Sequence, residues 1–128
     1  MQPAHTSVLE RVRALCMALP EATETRTFGN PTFQVTGKTF CVLETYRGEF
    51  SIAVKVGKSE QSTFLADERF FRTPYVGRYG WVSLKCGAAA IDWDEVQGLV
   101  ESSYRQIAPP RLVLELASPG GFEPPLPP

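Results

Sequence analysis

Glu49-Phe50-Ser51-Ile52-Ala53-Val54-Lys55-Val56-Gly57 is the stretch that decides the fold. Phe50, Ile52, Val54 and Val56 fall on one side of an extended backbone, and Ser51, Ala53 and Lys55 on the other. That is a strand with one face toward a core. Working upstream, Lys38 to Tyr46 and Thr32 to Thr36 read as two more strands, joined by Arg47-Gly48 and by Gly37. Such short glycine turns predict antiparallel hairpins. Downstream, Ser59 to Glu68 reads as a short helix with Phe64 and Leu65 inward, and Phe70 to Thr73 as a strand stopped by Pro74. Gly77-Arg78-Tyr79-Gly80 reads as a turn into a strand from Trp81 to Cys86. Alternation there places Val82, Leu84 and Cys86 on one face and Trp81, Ser83 and Lys85 on the other.

Helices flank this strand-rich centre. Ser7-Val8-Leu9-Glu10 has capping-box spacing, followed by Val8, Val12, Leu15, Cys16 and Leu19 at helical intervals and a stop at Pro20. Glu21 to Asn30 is polar and reads as turns. Asp92 with Glu95 gives an acidic capping box for a long helix. Its inward stripe is Val96, Leu99, Val100, Ser103, Tyr104 and Ile107, and Pro109-Pro110 breaks it before a short helix from Arg111 to Ala117. The expected fold is α+β: a two-layer α/β sandwich with an antiparallel sheet of about five strands and helices packed on one face. Residues 1–117 make one domain. Residues 118–128 hold Pro/Gly-rich text, including Pro124-Pro125-Leu126-Pro127, and read as a disordered tail. Deleting that tail is expected to leave folding intact.

Composition removes several function classes. The chain is 43% hydrophobic and 21% charged, ordinary for a globular domain. Thirteen Lys+Arg against 14 Asp+Glu leave a net charge of −1, which argues against gripping nucleic acid by bulk charge. Cys16, Cys41 and Cys86 form no CxxC pair and are an odd number, so neither a disulfide framework nor a zinc site is expected. Buried reduced thiols fit a reducing cytosol. No secretory signal or membrane span is read, so the expected location is cytoplasmic. His5 stands alone in a terminus expected to fray, and no GxSxG, GxGxxG or Walker sequence is present. Asp92, Asp94, Glu95 and Glu101 are explained by a helix N-terminus or a solvated helix face. The chain therefore reads as non-catalytic, with no cofactor and no metal.

Two local patterns point to binding. From Arg69 to Ile91 there are four cations and no acid, interleaved with Phe70, Phe71, Tyr75, Tyr79 and Trp81. Basic groups beside aromatics suit phosphate contact and base stacking. Lys55, Arg72, Arg78, Trp81, Lys85 and Arg111 are the candidate nucleic-acid contacts, and so few cations imply weak, salt-sensitive binding. The second pattern is a set of aromatics beside glycines and prolines. Phe28, Tyr75, Tyr79 and Trp81 are candidates to wall a pocket for a small molecule or peptide. Exposed edge strands leave both monomer and homodimer open.

Several blocks resemble the MmcQ/YjbR family. Phe28-Gly29-Asn30-Pro31-Thr32-Phe33-Gln34-Val35 is similar to its aromatic-Gly-x-Pro-x-Phe-Lys-Val segment, and Gly37-Lys38-Thr39-Phe40 to the continuation. Pro74-Tyr75-Val76-Gly77, Gly80-Trp81-Val82, and Ser103-Tyr104-Arg105 to Ala108-Pro109-Pro110-Arg111-Leu112 resemble later blocks. The likeness runs from about Val8 to Leu116. It implies a small cytoplasmic bacterial protein with a frataxin-like sandwich and double-wing hairpins, commonly labelled DNA-binding. Here Gln34 stands where the family often has Lys, and Pro110 precedes Arg111 where it often has Lys. Both changes remove a cation. The His-x-x-Trp-Asn form of other branches is absent around Trp81.

Overall fold

The computed structural model describes residues 3–87 and 90–117. Its strands are β1 (Ala22–Thr27), β2 (Asn30–Val35), β3 (Lys38–Tyr46), β4 (Glu49–Lys55), β5 (Phe70–Arg72) and β6 (Trp81–Lys85). They form a six-stranded antiparallel sheet in the order β1-β2-β3-β4-β6-β5. The helices are α1 (Pro3–Met17), α2 (Lys58–Leu65), α3 (Trp93–Ile107) and α4 (Pro110–Ala117). The α+β sandwich is as the sequence predicts, with one strand more. The expected tail, residues 118–128, lies outside the described residues.

The register separates the two faces. Glu24, Phe33, Cys41, Val54, Val82 and Arg72 form one cross-strand row through all six strands. This face meets the helices: Arg13 of α1 pairs with Glu24 at 2.6 Å, and Phe64 of α2 meets Phe70 edge-on at 5.2 Å. Val12, Phe33, Phe40, Leu43, Ile52, Val96, Val100, Tyr104 and Leu112 are buried in the layer between. The opposite row, Thr25, Thr32, Val42, Ala53, Ser83 and Phe71, lies on the helix-free face.

One helix residue completes the sheet. Cys41 pairs with Phe33 while Thr39 pairs with Gln34, so Phe40 is the extra residue of a β-bulge. The β3–β4 ladder stops at Cys41–Val54. Beyond it, Ser103 of α3 fills the gap: its Oγ accepts from the Lys55 N–H at 3.0 Å and donates to the Phe40 carbonyl at 2.7 Å. Tyr104 donates from its hydroxyl to the Pro20 carbonyl at 2.6 Å, tying α3 to the turn after α1.

Several local expectations need correction. The polar stretch after Pro20 contains β1, an edge strand exposed along most of its length. It carries no apolar stripe because only one neighbour covers it. α1 starts at Pro3, so Ser7 lies inside the helix rather than capping it. His5 is helical and its ring stacks on Phe50 with centroids 3.8 Å apart. Asp92 caps α3 through the amides of Asp94 and Glu95, but the Glu95 carboxylate goes to Arg69 at 2.7 Å instead of closing a box. Gly77–Tyr79 is a turn of 3-10 helix within the connection of the antiparallel β5–β6 pair. All three cysteines are free and buried, as expected, and burial pushes the Cys86 thiol up to about 12.

Candidate functional site

The helix-free face is built from short side chains. Thr32, Val42 and Ala53 are successive members of its central row, and none rises far above the backbone. Larger groups stand around this low floor. Trp81, on β6, borders it on one side. From β5 the chain returns over the same face as Thr73-Pro74-Tyr75-Val76. From the β1–β2 hairpin comes Phe28. Together they line an open cleft of about 260 Å³.

Backbone geometry places two of these aromatics at a cost. Phe28-Gly29 is the two-residue turn between Thr27 and Asn30, and both turn residues have positive φ, 52° and 81°. Mirror-image hairpin turns demand this, and asparagine or glycine is the usual first residue. A phenylalanine there is strained, and its side chain is 99% exposed. Tyr75 repeats the pattern, with φ 68° and 91% exposure. Thr36 and Arg47 hold the same turn position at φ 49° and 51°, so the left-handed backbone belongs to the turns; what sets Phe28 and Tyr75 apart is a bulky aromatic left in water.

The third wall is rigid. Trp81 is buried under the returning segment. The buried Gln61 of α2 donates to the carbonyls of Gly77 at 2.6 Å and Trp81 at 3.0 Å. Thr73 and Ser83 share a buried hydroxyl–hydroxyl bond of 2.8 Å. At the root of this segment, Gly80 accepts from the amides of Val56 at 2.9 Å and Gly57 at 3.1 Å.

One charge faces the cleft. Glu44, two residues beyond Val42 on β3, is the only charged side chain among the described residues that line it. Its carboxylate has no hydrogen bond or ion pair among the described residues. Burial alone pushes its carboxyl above the ordinary range, because the charged form is short of water.

Of the aromatics named from sequence, Phe28, Tyr75 and Trp81 converge here. Tyr79 does not; it lines a neighbouring concavity with Lys38, Thr39, Lys55, Trp81 and Gln106. The basic candidates are dispersed. Arg72 and Arg78 are exposed near the returning segment, with Arg78 over the Tyr79 ring at 4.9 Å. Lys85 borders a different depression with Glu49, Glu68, Asp92 and Glu95. Arg111 is in α4, paired with Glu21 at 2.9 Å. Arg69 is held by Asp67 and Glu95. Glu44 and the floor residues escaped sequence reasoning. Their adjacency depends on register, and the one available signal was an acid on the outward side of an apolar strand.

The sequence of this chain matches the family model described as YjbR over residues 17–106. Among solved structures, the crystal structure of the Deinococcus radiodurans protein DR2400, of family-model domain DUF419, is similar in fold. The TM-score is 0.67 at 16% identity, covering 90% of this chain and 91% of that one. No curated protein matches. Among the described residues no helix is long and apolar enough to cross a membrane.

Proposed function

This chain belongs to the YjbR family, and on that fold we propose that the helix-free face of its sheet is a ligand-binding cleft without catalysis. One observation carries the proposal. Phe28 and Tyr75, on separate turns, both hold exposed aromatic rings at positive φ beside the same cleft, and Trp81 closes it. Strain and exposed apolar surface in one place are marks of a preformed binding site. The cleft is small, so the ligand is a small molecule or a single group of a larger one.

The strain makes this reading testable in two directions at once. Phe28→Asn suits the turn better and removes an exposed ring, so it is expected to raise stability by about 1 kcal/mol. It also removes one wall, so binding of small amphipathic fragments in the cleft should be lost. Chemical denaturation and fragment titration on the same sample check both. A variant that is more stable and binds fragments unchanged would reject the cleft as the site.

A second reading, nucleic-acid binding, is favoured by Arg72 and Arg78. Both are exposed, with Arg78 over the Tyr79 ring and the Arg72 stem against Gly77, and neither has a carboxylate partner among the described residues. Lys55 shares the Tyr79 concavity and would assist, while Lys85 and Arg111 would add little, since they lie on other parts of the surface. Titrating duplex and single-stranded DNA across salt concentrations tests this. Removing both arginines should lower the log–log salt slope by about 2. Absence of binding at low salt would count against it.

A further inference from the structure

We propose that the cleft takes a small organic cation carrying an alkylated ammonium group, with Glu44 as its counter-charge and Phe28, Tyr75 and Trp81 as its aromatic walls. The proposal rests on the cleft reading above and deepens it by naming the ligand class.

Charge complementarity is the first argument. Glu44 is the sole charge among the described residues that line the cleft, and it lacks a partner among them. An anionic ligand would meet only like charge. A neutral one would displace water from Glu44 and give nothing back. A cation offsets the desolvation that raises the Glu44 carboxyl. The nearby basic groups do not supply that partner. Lys85 is in the same cross-strand row but beyond Ser51, and Lys55 lines the adjacent concavity. Arg26 donates to the Gly29 carbonyl at 2.8 Å.

Wall chemistry is the second argument. The faces of Trp, Tyr and Phe carry negative electrostatic potential, and several around one site favour an alkylated ammonium over a hydrated metal ion. Carbon-clad ammonium groups are weakly hydrated and also gain from apolar contact with Val42 and Val76. The volume of about 260 Å³ admits such a group with a short tail.

The test compares choline with 3,3-dimethylbutan-1-ol, which has the same shape with carbon in place of the charged nitrogen. Binding is followed through the Trp81 indole N–H signal, assigned with Trp93→Phe. Choline should bind more tightly than the alcohol by about tenfold. Glu44→Gln should remove that preference, bringing choline and the alcohol to comparable affinity, and Glu44→Asp should retain part of it. A peptide bearing trimethyllysine, run beside choline, distinguishes a protein-borne ammonium from a free one; binding of either supports the proposal. Equal binding of choline and the alcohol, or tighter binding of the matching carboxylate, would overturn the cation while leaving the cleft. A full choline preference in a correctly folded Glu44→Gln variant would overturn the role of Glu44. No movement of Trp81 by any probe would overturn both readings.

Discussion

Gly80→Ala is expected to lower stability by about 2–5 kcal/mol, a fall in Tm of roughly 10–20 °C. Two costs add. Gly80 has φ +91°, a conformation that strains any residue with a Cβ. The added Cβ would also lie 2.7 Å from the Gly57 carbonyl carbon and 2.8 Å from Gly57 Cα. Those atoms are backbone and cannot rotate aside, so β4 and β6 must separate where the Val56 and Gly57 amides meet the Gly80 carbonyl. Gly29→Ala isolates the first cost, because that glycine has φ +81° and nothing within 4 Å of the added Cβ. It should lose only about 1–2 kcal/mol. Thermal melts of the two variants give the comparison. Gly80 precedes Trp81, so the same substitution should also widen the cleft and weaken fragment binding.

Ser103→Ala is the second large effect, at about 2–5 kcal/mol by denaturant titration. The hydroxyl is fully buried and serves two partners across the end of the β3–β4 ladder. Without it, the Lys55 N–H loses its acceptor and the Phe40 carbonyl loses its donor, and each buried orphan costs about 1–3 kcal/mol. Ser102→Ala is the control, on the same helix but exposed, and should change stability by less than about 0.5 kcal/mol. Equal losses from the two serines would show that helix propensity, not the completed ladder, accounts for the effect.

Where one face of an element is covered, the sequence was readable. β4 and α3 carry apolar residues at periods of two and of about 3.6, and each buries that side, although Ser51 and Ala53 on the other face of β4 are buried as well. β1 has no such stripe. Its threonines at 23, 25 and 27 alternate, but an exposed edge strand needs no apolar face. Ser7 and Glu95 had the spacing of caps and found other uses, because Pro3 already begins α1 and Arg69 competes for the Glu95 carboxylate. In the site, three aromatics were legible as residues without a place in the core. Proximity in sequence puts Tyr79 with them, yet it follows the 3-10 turn into the neighbouring concavity beside Trp81. Thr32, Val42, Ala53 and Glu44 come from three strands, and only the register brings them together.

The most direct test of the central claim is a backbone amide and indole ¹H–¹⁵N titration of the native chain with a panel of cationic, neutral and anionic fragments. Saturable shifts are expected at Phe28, Thr32, Val42, Ala53, Tyr75 and the Trp81 indole alone, strongest with the cations. Shifts confined to other surfaces, or no saturable shift at these residues, would contradict it.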